Sequence, residues 1–264
     1  MRELTIGKND AGQRLDRFLS KALPLLPPAL AQKYIRIKRV KVNGGRAQRD
    51  QRLSAGDVLQ LYINDEFFDK PSEENLFLTL FKPHLTVVYE DEHLLLADKP
   101  QGMVVHADET EKVNTLINHI QAYLYQKREW NPKWENAFTP ALCNRIDRNT
   151  GGIVIAAKDA ETLRVINEKI RDRELDKRYL CITAGRPKKS EGRVECFLLK
   201  DEQKKQVSVY HKPIPGGKTA ITDYRVLETR GELSLVEIGL ETGRTHQIRA
   251  TMADLGCPLL GDGK

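Results

Sequence analysis

Between Val87 and Leu240 the chain is a succession of short strand-like runs with only occasional helical stretches. Val87-Val88-Tyr89 and Leu94-Leu95-Leu96-Ala97 flank the turn-like Glu90-Asp91-Glu92-His93, the pattern of a hairpin. Ile153 to Ala157 is a continuous apolar run, and Glu232 to Ile238 alternates apolar with polar residues as a half-buried strand does. Glu161 to Leu175 has a helical period, with Leu163, Ile166 and Ile170 on one stripe and Asp159 placed to cap it. The regular β-α alternation of a dinucleotide-binding fold is missing, and neither G-x-G-x-x-G nor G-x-x-x-x-G-K-S/T occurs. The pattern predicts an α+β class built largely on antiparallel strands. Gln121 to Pro140, which holds both tryptophans among many polar residues, reads as a helix end and a surface loop.

The N-terminal segment differs in both charge and period. Apolar residues at 15, 18, 19, 22 and 23 mark a helix that Pro24, Pro27 and Pro28 end, and a second helix is expected from about Ala29 to Ile37. Val40-Lys41-Val42-Asn43-Gly44-Gly45 reads as a strand entering a tight turn, and Leu53 to Leu61 as a turn and an alternating strand. From Gly12 to Tyr62 there are 11 Lys/Arg and 3 Asp/Glu, a net +8 against +6 for the whole chain. The rest is therefore slightly acidic, and the positive charge is concentrated where a nucleic acid could meet it. Solvated surface charge accounts for the same numbers equally well. Asn64 to about Leu85 is polar and irregular and reads as a linker, although Leu76 to Phe81 could pair as a strand. The expected organisation is a small domain over 1–63, a linker over 64–85 and a second domain over 86–264.

Composition excludes several classes. With 40% apolar and 30% charged residues the chain is globular rather than disordered. No apolar run approaches the ~18 residues of a membrane span. Met1 to Lys8 has no apolar core, so no secretory signal is expected and the expected location is the cytoplasm. Cys143, Cys181, Cys196 and Cys257 are dispersed, with no C-x-x-C pair and no histidine at zinc spacing, so free thiols are expected rather than metal ligands.

One stretch concentrates the chemistry: Asn144-Arg145-Ile146-Asp147-Arg148-Asn149-Thr150-Gly151-Gly152, running straight into the apolar strand. A carboxylate flanked by two arginines can be held ionised on a loop pinned by the strand behind it. Taken alone, an aspartate on a turn is more often a cap or turn former.

This stretch resembles the H/N-R-L-D-x-x-T-S/G-G signature of the RluA-type pseudouridine synthases. Asp98-Lys99-Pro100-Gln101-Gly102-Met103-Val104-Val105-His106 resembles the K-P-x-G-x-x-V-H segment of that family, and Lys177-Arg178-Tyr179 its K-x-Y segment. Thr242-Gly243-Arg244-Thr245-His246-Gln247-Ile248-Arg249, with Gly256-Cys257-Pro258-Leu259-Leu260-Gly261-Asp262, resembles its T-G-R-x-H-Q-I/L-R and G-x-P-I-x-G-D runs. From Arg14 to Leu59 the chain also resembles the small RNA-binding module named after ribosomal protein S-four, through R-L-D-x-F-L, I-R, V-x-V-N-G and L-x-x-G-D-x-L. Departures are mild: Asn144, Ile146, Gly151 and Thr251 stand where the family often has His, Leu, Ser and His. The last motif stops at Lys264, so a segment following it is expected.

The resemblance implies a small α/β RNA-binding domain followed by a catalytic domain on a mixed, mostly antiparallel sheet with flanking helices. It implies isomerisation of uridine to pseudouridine, most of all in large-subunit ribosomal RNA, with transfer RNA as the alternative substrate. Asp147 would act as nucleophile or as the base assisting glycosidic cleavage. Tyr179 would pack on the uracil and serve removal of the proton at carbon 5, and Arg249 would be the cation that keeps a buried carboxylate ionised. Arg145 would fill the gap left by a flipped uridine, or simply pair with Asp147 or a phosphate. Arg148, Arg244 and His246 would contact RNA at the site, and Arg17, Lys33, Arg36, Lys38 and Arg39 would face phosphates on the module. The chemistry gains no atoms and changes no oxidation state, so no cofactor, nucleotide or metal is expected. RNA is the expected partner, with no membrane, and the chain is expected to act as a monomer. The rival readings are a non-catalytic RNA-binding or ribosome-assembly factor and an RNA methyltransferase, the latter lacking any visible methyl-donor loop.

Overall fold

The computed structural model describes residues 1–69, 72–201 and 206–262, with 72–75 described in backbone only. The chain divides into two compact units, Met1–Asn167 and Glu168–Lys264.

The first unit opens with β1 (Arg2–Thr5), α1 (Leu15–Ala22), α2 (Pro28–Arg36), β2 (Val40–Val42), β3 (Gly45–Arg46) and β4 (Val58–Leu61). The helical period is realised: Leu15, Phe18, Leu19 and Ala22 of α1 are buried, and they meet Ala31, Tyr34 and Ile35 of α2 in one core. Pro28 begins α2, where a missing N–H costs nothing. The sheet runs β1-β4-β2-β3. Asn43 and Gly44 link β2 to β3 at φ 49° and 75°, the conformation that a tight two-residue hairpin needs. Asn43 Nδ2 donates to Asp57 Oδ1 at 2.8 Å and its Oδ1 accepts from Val58 N–H at 2.8 Å, fastening the hairpin to β4.

Next come β5 (Thr86–Glu90), β6 (Leu94–Lys99), α3 (Leu116–Gln126), β7 (Ala141–Leu142) and β8 (Gly152–Ala157), with sheet order β5-β6-β8-β7. The hairpin of β5 and β6 forms as expected, with Asp91 Oδ1 accepting the N–H groups of His93 and Leu94 at 2.8 Å in the turn. Leu76 to Thr79 do not pair as a strand; they lie in a 3-10 run, Ser72–Thr79, whose Phe77 is 1% exposed. Phe77 packs on Tyr125 and Trp130 with ring centroids 5.7 and 5.2 Å apart, and this aromatic contact outweighs the strand propensity of the run. The stretch after α3 is likewise not all surface, because Trp130 and Phe138 are buried.

Helix α4 (Ala160–Arg171) spans the division between the units and is capped by Asp159, which accepts from Thr162 N–H at 2.8 Å. The second unit holds β9 (Arg178–Ala184), β10 (Glu191–Asp201), β11 (Gln206–Tyr210), β12 (Lys218–Arg230), β13 (Leu233–Leu240) and α5 (Gln247–Asp254). Its sheet runs β11-β10-β12-β13-β9. Val236 and Ile238 of β13, Met252 of α5 and Cys257 are fully buried together, with Ile248 and Leu255 packed against them, so α5 covers the sheet. The class is α+β. Every strand pair among the described residues is antiparallel, and the parallel component is an isolated bridge between Val104 and Thr115.

Candidate active site

Asp147 lies on the loop between β7 and β8. Ile146 is buried, Asp147 is half-buried and Arg145 is exposed, so an apolar anchor fixes the loop while its charged neighbours turn outward. Thr150 N–H donates to the Asp147 carbonyl at 3.1 Å, closing a turn. Asn144 brackets β8, donating through Nδ2 to Ile153 O at 3.3 Å and accepting at Oδ1 from Ile155 N–H at 2.8 Å. Gly152 has φ 126°, which side-chain-bearing residues rarely adopt, and it starts the strand directly behind the carboxylate.

Lys99 completes the loop from below. Strand alternation puts Leu95, Ala97 and Lys99 of β6 on the core face, and Lys99 is 0% exposed. Its Nζ donates to three carbonyls, Pro100 at 2.9 Å, Met103 at 2.8 Å and Arg148 at 3.0 Å. All three ammonium protons are thus accounted for. Burial pushes the amine below its usual range, and the negative charge of Asp147 acts against that push. Lys99 is therefore a buried cation of the first unit that interacts electrostatically with Asp147. Its K-P-x-G setting was visible, but its burial could be found only by asking which parity of β6 faces inward.

Arg148 is engaged within the protein. Its Nη2 reaches Asp108 Oδ2 at 2.9 Å and Thr110 Oγ1 at 2.6 Å. Asp108 also accepts the Thr110 hydroxyl at 2.7 Å and the N–H groups of Thr110 and Glu111 at 2.8 and 2.9 Å, and these bonds with the Arg148 guanidinium hold its carboxyl well below the usual carboxylate range. The guanidinium thus ties the 108–111 turn to the Asp147 loop. Arg145 lies near His106, whose imidazole is pushed down first by desolvation of the ring and then by the positive charge of Arg145, although the residue as a whole is exposed.

In the second unit Tyr179 sits on β9 opposite Ile238 of β13, half-buried against the core. Arg249, on α5, has Nε 2.6 Å from Asp262 Oδ2, and its Nη2 pairs with Asp262 Oδ1. Such a two-pronged pair fixes the guanidinium plane. Within its own unit, then, Arg249, the cation expected to serve Asp147, is held by Asp262. The turn before α5 is organised by Gln247, 2% exposed. Its Oε1 accepts from Thr242 Oγ1 at 2.9 Å and Arg244 N–H at 3.0 Å, and its Nε2 donates to Ile221 O at 3.0 Å and Thr222 Oγ1 at 2.9 Å. His246 enters the helix at φ 55°, and Arg244 Nε donates to Thr219 O at 2.8 Å while the residue stays exposed. The T-G-R-x-H-Q pattern is thus in large part a folding device.

On the N-terminal module Arg17, Lys33, Arg36, Lys38 and Arg39 are all exposed. None of the five is in an ion pair among the described residues, whereas Arg14 and Arg49 are both spent on Asp16 at 2.7 and 3.0 Å. Arg39 lies over the Tyr34 ring, 5.5 Å from its centroid, and surface cations outside ion pairs can meet phosphates without first breaking one. Among the described residues no cluster of three His, Cys, Asp or Glu side chains is arranged to hold a metal ion, and no helix is long and apolar enough to cross a membrane.

Both parts of the chain match known families. Residues 93–254 match the RNA pseudouridylate synthase family, and residues 13–59 match the S4 domain. The chain is 31% identical to ribosomal large subunit pseudouridine synthase C of Rickettsia prowazekii, over 95% of this chain and 81% of that protein. It is 30% identical to ribosomal large subunit pseudouridine synthase D of Borreliella burgdorferi, over 99% of this chain and 77% of that protein. Among solved structures, human RNA pseudouridylate synthase domain containing 4 superimposes with a TM-score of 0.56 at 25% identity, covering 72% of this chain and 71% of its own. With the Asp147 loop, the synthase match and the S4 module in register on one chain, this protein belongs to the RNA pseudouridylate synthase family.

Proposed function

We propose that the chain isomerises uridine to pseudouridine in large-subunit ribosomal RNA, with Asp147 as the carboxylate on which glycosidic cleavage depends. The observation that carries this reading is the Asp147 loop, anchored by buried Ile146 and by Lys99 through the Arg148 carbonyl. The reaction breaks the bond from uracil nitrogen 1 to the ribose, turns the base, joins carbon 5 to the ribose, releases the proton of carbon 5 to solvent and leaves nitrogen 1 carrying a proton. A reacting carboxylate must stay ionised while shielded from water, which needs a nearby positive charge. Lys99 places a positive charge that interacts with Asp147 without reaching solvent. Tyr179 is proposed to serve removal of the carbon 5 proton, and Arg249 to add positive charge.

Two relatives named as ribosomal large subunit synthases support ribosomal RNA as the substrate. The basic face of the module supports RNA binding through Arg17, Lys33, Arg36, Lys38 and Arg39, with Arg145, Arg148, Arg244 and His246 assigned to RNA at the reacting end. The proposed division is a binding domain over 1–63, a connection over 64–85 and a synthase domain over 86–264, working as a cytoplasmic monomer. Tritium release from ribosomal RNA labelled at carbon 5 of uridine tests the reading. Release by the wild type and none by Asp147→Asn is expected; equal release from both would sink the assignment of Asp147.

A further inference from the structure

The N-terminal module is joined to the body of the first unit by a second polar connection besides the chain itself. Asn9 and Asp10, in the turn after β1, face Glu135 and Asn136 in the loop before β7, and the pairs are crossed. Asn9 Nδ2 donates to Glu135 Oε1 at 2.9 Å, and Asn136 Nδ2 donates to Asp10 Oδ2 at 2.9 Å. Asn136 Nδ2 also reaches the Thr5 carbonyl at 2.8 Å. The other end of the Asn9 amide accepts the N–H of Ala160 at 3.2 Å, so a residue of the module satisfies one of the free donors at the start of α4. Arg164, one turn further along α4, donates to the Ala11 carbonyl at 3.3 Å. Ala137 packs against the module's apolar core.

These contacts lead directly to the reacting end. Helix α4 follows β8 after two residues, and β8 is the strand behind the Asp147 loop. We propose that Asn9, Asp10, Glu135 and Asn136 form an orientation latch that locks the RNA-binding module to the Asp147 loop, so that RNA held by the module presents one uridine at a fixed distance. The inference rests on the pseudouridine synthase reading above, and it names four residues that set which uridine is chosen without touching it.

The chemistry of the contact suits a latch rather than a hydrophobic core. Amide-to-carboxylate pairs are directional, so they fix an angle as well as a distance. Neither carboxylate has an ion-pair partner among the described residues, and burial pushes the Glu135 carboxyl up. Asp10 is 1% exposed, and its Oδ1 has no hydrogen-bond partner among the described residues. A buried, half-satisfied carboxylate is costly. Loss of either amide is therefore expected to loosen the docked state.

The test compares wild type with Asn136→Ala and, independently, Asn9→Ala. Backbone dipolar couplings measured in a weakly aligning medium give the orientation of the module, 2–61, relative to the body, 86–157. One common orientation is expected for wild type and two independent ones for each variant. Pseudouridine mapping on full-length ribosomal RNA is expected to show an about tenfold fall in the preference for the target uridine, with a short stem-loop carrying that uridine modified within about twofold of the wild-type rate. Two orientations in wild type would overturn the latch. So would released variants with undiminished preference, or a single orientation retained in both variants. If wild type modifies no RNA, the substrate reading fails, while the dipolar couplings still decide whether the latch exists.

Discussion

Lys158 Nζ lies 3.0 Å from Glu90 Oε1, with the two side chains only 10% and 14% exposed. Lys127 Nζ reaches the same oxygen at 2.9 Å and Tyr123 donates its hydroxyl to Glu90 Oε2 at 2.8 Å. Burial alone would raise the Glu90 carboxyl, but the hydrogen bonds from Lys127, Lys158 and Tyr123 together outweigh it and hold the group at about 2. The folded carboxyl is thus depressed below its ordinary 4.5, so its stabilisation is complete above that value and lost as the pH falls towards about 2. The shift corresponds to roughly 3 kcal/mol. Glu90→Gln is expected to flatten the loss of stability between those two pH values, read from urea unfolding at each pH. An unchanged acid limb in the variant would show that the pairing is not what titrates.

Lys99→Met is the sharpest probe of the Asp147 loop. The methionine fills similar space but leaves three carbonyls without their donor and removes the positive charge beside the carboxylate. A loss of roughly 2–4 kcal/mol in urea unfolding is expected. Isomerisation, followed by tritium release, is expected to fall by about 100-fold even where the variant remains folded. Full activity in a folded Lys99→Met protein would show that Asp147 does not depend on Lys99.

Gln247→Ala would leave the groups of Thr222, Thr242, Ile221 and Arg244 unanswered in a buried turn. The expected loss is roughly 3 kcal/mol, in the range of several buried hydrogen bonds. Thermal unfolding decides it, and a midpoint equal to that of wild type would mean that the turn re-forms around water.

The double substitution Arg36→Ala and Arg39→Ala removes two exposed cations that have no ion pair among the described residues. Each lost phosphate contact lowers the slope of log affinity against log salt by about 0.7 to 0.9, so two should lower it by about 1.5. Anisotropy of labelled RNA over a series of KCl concentrations measures the slope. A parallel weakening at all salt concentrations, with the slope intact, would place the phosphates elsewhere.

The residues show why part of this was legible in the sequence and part was not. Helix α1 and the Asn43-Gly44 hairpin follow from local period and turn chemistry, and each is present where the pattern puts it. The Asp147 loop was legible because several residue types recur there at fixed spacing. Lys99 was not, since the run from Leu94 to Lys99 is apolar at four consecutive positions and hides which parity faces the core. Leu76 to Phe81 looked like a strand because its contacts are distant: Tyr125 and Trp130 hold Phe77 from about fifty residues away. The pairing of Arg249 with Asp262 is likewise non-local, and nothing in the spacing of the two residues announces it. The tie between Asn9 and Glu135 spans still more of the chain and left no sequence signal at all.

The burial of Lys99 gives the enzyme a built-in reporter. An amine-acylating reagent reacts with the free base of an accessible lysine, and Lys99 offers neither accessibility nor a free lone pair while its three carbonyls hold it as an ammonium. Its acylation in a time-resolved peptide map would therefore proceed only when the Asp147 loop lifts, and the rate would count those openings without any label being introduced.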